Sequence, residues 1–251
     1  ILERLGGESR IHYSLDHFTQ ALEAAGSPHK SVKTIVIAGT NGKGSVSLLA
    51  SSALISAGKQ VGTFLSPHLQ HPRERILHNL VPLSAASLDA LAPKWEALAD
   101  QFQLTYFEFV NLLCFVWAKE AGLDYLVLEV GMGGRLDSTN VTTPIATAIT
   151  TIDFDHQAYL GKTLEAILTE KMGIMRAGVP VFTHVRGENL EAVLEKRAAE
   201  LKAPVHYAWK QPALVKQVQW SGQTVELHGT PFHLATPTPG MAQSMLKKFP
   251  V

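Results

Sequence analysis

Short apolar runs alternate with stretches of helical periodicity along most of the chain. Thr34-Ile35-Val36-Ile37-Ala38 is an unbroken run rich in β-branched residues, which predicts a buried strand. After a glycine-rich turn, Val46, Leu49, Ala50, Ala53 and Leu54 recur at helical spacing, and Gly58 supplies a stop. Further strands are predicted over residues 61–65, 125–130, 145–152, 179–182 and 204–209. Helices are predicted over 88–102 with Pro93 near the first turns, over 107–121, over 164–177 with Thr163 as cap and Gly178 as stop, and over 190–201. Apolar strands alternating with helices predict βαβ units, hence an α/β fold with a mostly parallel, doubly wound sheet flanked by helices. Near the C-terminus, 214–220 and 224–228 flank Ser221-Gly222 and predict a β-hairpin. The stretch Thr236-Pro237-Thr238-Pro239-Gly240 reads as a linker, so residues 1–235 are expected to form one domain and 236–251 a linker or remnant.

Composition narrows the function classes. The chain has 251 residues, of which 46% are hydrophobic, enough for a sizeable core. Lys+Arg and Asp+Glu both number 22, so there is no basic excess for duplex DNA or an anionic membrane, and anion binding must be local. The single cysteine, Cys114, lies in an apolar run and is expected to be a buried thiol outside any disulfide. No stretch is long and apolar enough for a membrane span, and no signal peptide is evident in residues 1–7. A cytoplasmic monomer that handles small molecules is the expectation. The chain begins at Ile1 rather than Met, so it is expected to be less than a full gene product.

The candidate chemistry begins at Gly39-Thr40-Asn41-Gly42-Lys43-Gly44-Ser45, between a predicted strand and a predicted helix. Glycines there let backbone N–H groups surround phosphate oxygens, and the helix N-terminus adds partial positive charge. Lys43 can bridge the β- and γ-phosphates, and Thr40 or Ser45 can offer a hydroxyl to phosphate or Mg²⁺. Position 37 is Ile where the general pattern has Gly, and position 44 is Gly where it has Ser or Thr. The alternative is an ordinary glycine-rich turn.

Three more polar groups follow predicted strands: Ser66, Glu129, and the Asp153/Asp155/His156 set. In a parallel sheet the carboxyl ends of strands share one edge, where such sheets bind ligands. Glu129 in its apolar run needs a partner, either a metal or an ion pair with Arg135. His156 is either a ligand or a packed loop residue. The glycines at 131, 133 and 134 lack dinucleotide-binding spacing, because Leu136 stands where Gly or Ala is required. Along the helix after His156, Leu164, Ile167, Leu168, Lys171, Met172 and Met175 form one stripe, which places Lys171 inward. That lysine must find a partner, snorkel to an edge, or be chemically altered.

The loop Gly-Thr-Asn-Gly-Lys-Gly-Ser, the block from Glu129 to Asn140, Thr151-Ile152-Asp153-Phe154-Asp155-His156 and Glu170-Lys171-x-Gly173-Ile174 resemble the Mur ligase superfamily in its folylpolyglutamate/dihydrofolate synthase branch. The resemblance implies a central-domain-like P-loop fold that binds ATP through Thr40, Asn41, Gly42, Lys43, Gly44 and Ser45. It implies Ser66, Glu129 and His156 as ligands of one magnesium, and a carbamylated Lys171 helping to hold a second. Asp137 would bind the pterin, with Phe107 beside it; the alternative for Asp137 is an Asx-type turn. Lys43, Lys171 and His156 would be the catalytic set. The implied reaction activates the carboxylate of dihydropteroate or folate with ATP and joins glutamate to it. A glutamate-binding C-terminal domain is usual in the family and is not expected within this length. Another Mur-type amide ligase, or a non-catalytic nucleotide-binding P-loop module, are the competing readings.

Overall fold

The computed structural model describes residue 5, residues 14–210, and the backbone of 213–219, 222–227 and 230–235. Its centre is an eight-stranded sheet. In chain order the strands are β1 (Lys33–Ala38), β2 (Val61–Phe64), β3 (Ile76–His78), β4 (Val81–Pro82), β5 (Tyr125–Glu129), β6 (Ala146–Ile149), β7 (Val181–Thr183) and β8 (Val205–Tyr207). The spatial order is β4-β3-β2-β5-β1-β6-β7-β8. From β2 to β8 all neighbours are parallel, while β3 and β4 add an antiparallel edge. The carboxyl ends of β2, β5, β1 and β6 are therefore consecutive along one edge.

Both faces are covered, as the apolar strands require. On one face, α2 (Lys43–Ser56) lays Val46, Ala50, Leu54 and Ile55 over Ile37, Val61 and Val127. Its innermost positions are serines: Ser47, Ser51 and Ser52 are buried, and Ser51 Oγ lies 2.7 Å from Thr63 Oγ1 on β2. Leu49, expected on the inward stripe, is exposed instead, because these small side chains set the closest approach of helix to sheet. The main core on the other face gathers α1 (Asp16–Ala24), α5 (Tyr106–Glu120), α7 (Leu164–Met172) and α8 (Glu188–Leu201). Cys114 lies within it as a free buried thiol.

The helix expected over 88–102 is divided. α3 (Ala85–Leu91) passes into a 3-10 turn, Ala92–Trp95, before α4 (Glu96–Gln101). Pro93 has no N–H to donate and crowds the preceding turn, so the α-helical ladder stops there. α7 ends at Met172, short of residue 177, where Gly173 packs against the Arg135 backbone with no room for a Cβ. The one-turn α6 (Gln157–Leu160), α1 and the β3–β4 edge were not evident from periodicity. The C-terminal hairpin is present as β9 (Ala213–Gln219) and β10 (Gly222–Leu227), and β11 (Thr230–Ala235) extends it to a three-stranded antiparallel sheet. The expected linker at 236–251 lies outside the described residues. No described helix is long and apolar enough to cross a membrane.

Candidate active site

The phosphate loop joins β1 to α2 and is held from two sides. Toward β6, Thr40 N–H donates to the Thr151 carbonyl at 2.7 Å. Thr40 Oγ1 donates to the Asp153 carbonyl and accepts from the Asp153 N–H, both at 3.1 Å. The Thr40 hydroxyl thus anchors the loop to the segment that leads to His156. Thr150 Oγ1 donates to the Asn41 carbonyl at 2.7 Å and Thr151 Oγ1 reaches the same oxygen at 3.3 Å. Toward α7, Lys171 Nζ donates to the Gly39 carbonyl at 2.9 Å, while Lys43 Nζ donates to the Thr40 carbonyl at 3.0 Å. Gly39 has φ 144° and a Cβ there would overlap the Thr150 side chain, so only glycine fits. Gly42 (φ 82°) sits just before α2, whose first-turn N–H groups have no intrahelical acceptors.

Lys171 does lie inward, 3% exposed. Its partner is a main-chain carbonyl, so burial, reinforced by the Lys43 charge and opposed by Asp155, lowers its amine to about pH 8. Glu129, at the end of β5, is 5% exposed. Its Oε2 accepts from Ser66 N–H at 2.8 Å. A Cβ built on Gly44 would stand 3.4 Å from both carboxylate oxygens, which places Glu129 directly beside the first turn of α2. Burial raises the Glu129 carboxyl to about 7; Asp137 adds to this, and the Ser66 amide, Lys43 and Arg75 oppose it. The ion pair with Arg135 is not formed: Arg135 Nη2 pairs with Glu170 at 3.0 Å on the surface instead.

His156 has a left-handed backbone (φ 46°), is half-exposed, and lies 3.6 Å from Asp155. Among the described residues no three His, Cys, Asp or Glu side chains gather as a metal cluster. Asp137 is buried with both oxygens engaged. Oδ2 accepts from Gly131 N–H at 2.9 Å and Met132 N–H at 3.0 Å; Oδ1 accepts from Thr139 N–H at 2.9 Å and Thr139 Oγ1 at 2.6 Å. These bonds use the four lone-pair positions of a carboxylate. The Asx-type alternative is what forms, and a direct pterin contact would displace one of these donors. Burial raises the Asp137 carboxyl against these hydrogen bonds.

Phe107 stands over Gly131, where a Cβ would strike its ring, and packs edge-on to Phe64 at 5.6 Å. Glu108 serves the helix itself, pairing with Thr105 in a capping box and with His17 at 2.8 Å. Arg75, given no role from sequence, is 1% exposed, donates to His68 Nδ1 at 2.9 Å, and lies over the Tyr106 and Phe107 rings. A charged residue directly before the Ile76-Leu77 strand carries no signal of burial. Thr150 is likewise legible from sequence only as a strand residue, and Thr151 only as part of that strand and of the segment ending at His156.

Residues 37–246 match the family model of the Mur ligase middle domain. The chain belongs to the Mur ligase family. It is 37% identical over 225 residues to a dihydrofolate synthase/folylpolyglutamate synthase of Bacillus subtilis, covering 84% of this chain and 52% of the relative. The Mycobacterium tuberculosis folylpolyglutamate synthase complexed with ADP is similar over 96% of this chain and 58% of its own, with TM-score 0.83 and 30% identity. A folylpolyglutamate synthase complex with AMPPCP and folate covers all of this chain and 68% of its own, with TM-score 0.83 and 27% identity. The chain spans about half the length of the curated relatives it matches.

Proposed function

We propose that this Mur ligase domain is the ATP- and pterin-binding part of an ATP-dependent carboxylate–amine ligase that adds glutamate to dihydropteroate or folate. The observation that carries the reading is the phosphate loop with the buried Glu129 carboxylate beside Gly44 and two lysines on its backbone. The relatives named for this activity, and the solved complexes with ADP, AMPPCP and folate, support it. Residues 1–235 form the binding domain in this reading, with 236–251 leading toward a glutamate-binding part. A monomer in the cytoplasm is the proposed setting.

Binding of ATP asks Lys43 to leave the Thr40 carbonyl and meet the β- and γ-phosphates, with Asn41, Gly42, Gly44 and Ser45 contributing the loop and the first turn of α2. The substrate carboxylate attacks the γ-phosphorus, forming an acyl phosphate and ADP. The glutamate amine then attacks the acyl carbon, and phosphate leaves with the C–O electron pair. The chain mainly positions reactants and neutralises developing charge.

The donor set suits magnesium at Glu129. Its carboxylate is buried beside the loop, burial raises its proton affinity, and magnesium favours hard oxygen ligands. Ser66 and His156, on the same sheet edge, would complete this site. A carbamylated Lys171 would help hold a second ion; with its amine near 8, about one molecule in ten is neutral at pH 7 and able to take up CO₂. Magnesium would supply charge neutralisation on the phosphates. Phe107, beside Gly131 and edge-on to Phe64, would be the aromatic wall for the pterin, and Asp137 would serve the pterin by opening one of its loop bonds.

The test is a calorimetric titration of dihydropteroate with Mg–ATP present. Binding of both ligands supports the ligase. ATP binding without pterin binding favours another Mur-type amide ligase or a non-catalytic P-loop module.

A further inference from the structure

We propose that Thr150 is a positioning residue of the nucleotide site, setting the direction in which the phosphate loop presents the Gly42 amide. This rests on the phosphate loop binding a nucleotide. Thr150 directly follows β6 and is 7% exposed. Its N–H donates to the Ala38 carbonyl at 2.9 Å, which continues the sheet ladder and fixes the residue beside the end of β1. Its hydroxyl donates to the Asn41 carbonyl at 2.7 Å, and its side chain fills the space that a Cβ on Gly39 would need. Loop and threonine are therefore complementary in shape as well as in polarity.

The consequence follows from peptide geometry. In a trans peptide the carbonyl and the next N–H point in opposite directions. With the Asn41 carbonyl held toward β6 by Thr150, the Gly42 N–H is turned away from β6. The same logic fits the neighbouring peptide, where the Gly39 carbonyl meets Lys171 while the Thr40 N–H meets the Thr151 carbonyl. Gly42 (φ 82°) is a flexible position that its own backbone preference does not fix. Thr150 supplies what the glycine lacks, a short hydrogen bond from a side chain locked in a buried strand end. Thr151, at 3.3 Å from the same carbonyl, is the weaker support.

The experiment compares Thr150→Val, which keeps the shape and removes the hydroxyl, with Thr150→Ser, which keeps the hydroxyl. Two quantities are read: Mg–ATP affinity by calorimetry, and the backbone ¹H–¹⁵N signals of Asn41 and Gly42 in the nucleotide-free protein. For Thr150→Val the expected results are about fivefold weaker Mg–ATP binding, the size of one neutral hydrogen bond, and broadened or doubled loop signals. Thr150→Ser should restore single loop signals and bring affinity to within about twofold of wild type. Single, unshifted loop signals in Thr150→Val overturn the proposal, as does a Thr150→Ser variant as impaired as the valine. If wild type binds no nucleotide while the loop signals of Thr150→Val alone broaden, the nucleotide-site reading fails and the loop contact stands. If Thr150→Val does not fold, sharp wild-type-like loop signals and affinity in Thr150→Ser support the proposal, and their loss overturns it.

Discussion

Replacing Lys171 by methionine removes a buried amine whose cost can be read from how stability changes with pH. The amine falls from an ordinary value of 10.5 to about 8, chiefly through burial. That drop corresponds to about 3 kcal/mol at roughly 1.36 kcal/mol per unit. Below pH 8 both folded and unfolded chains hold the proton, so the folded wild type bears the full cost of a buried cation. Between about 8 and 10.5 the unfolded chain still holds it and the folded chain does not, so wild-type stability rises with pH. Methionine does not titrate. The wild type should therefore gain about 2–3 kcal/mol on Lys171→Met between pH 7 and pH 10. The stranded Gly39 carbonyl costs the variant about 1–3 kcal/mol, but this offset is nearly independent of pH. Urea denaturation of both proteins at pH 7, 8, 9 and 10, with bicarbonate excluded, measures the difference. Parallel stability curves would refute the reasoning, because they would mean that Lys171 is either solvated or fully compensated by a charge.

Glu129 titrates in the opposite sense: its folded value is raised to about 7 from 4.5, so its cost to the fold appears as pH rises through that window. Glu129→Gln should be more stable than wild type at pH 8 by up to about 3 kcal/mol, by chemical denaturation, and should weaken Mg–ATP binding. Gly39→Ala forces a Cβ onto Thr150 at φ 144° and should lose about 3 kcal/mol or more of stability, seen as a lowered Tm together with lost nucleotide binding. Asp137→Asn turns an NH₂ toward N–H donors of the 131–139 loop and should cost about 2 kcal/mol or more; an unchanged Tm would show that these four bonds do not hold the loop.

The sheet was legible because its strands are short unbroken apolar runs, and the phosphate loop because glycines and a lysine stand between such a run and a helix. The inward place of Lys171 followed from periodicity on its own helix. Its partner did not, since the Gly39 carbonyl lies 132 positions away. Pro93 near the first turns is compatible with a continuous helix by periodicity alone, yet it divides the segment, and the α1 and β3–β4 elements are too short or too mixed in composition to announce themselves. Arg75 shows why burial of a charge escapes a sequence reading: two aromatic rings and a histidine from other segments make its site. Asp137 illustrates the converse, where a carboxylate identified as a candidate ligand is occupied by its own loop.

The most direct test of the central claim is a calorimetric titration of Mg–ATP into wild type and Lys43→Ala, with Tm measured for both. Wild type should bind, and Lys43→Ala should keep its fold but bind at least about tenfold more weakly, since a charge-assisted contact to phosphate is lost. No binding by wild type, or equal binding by the two, would contradict a nucleotide site at the loop from Gly39 to Ser45.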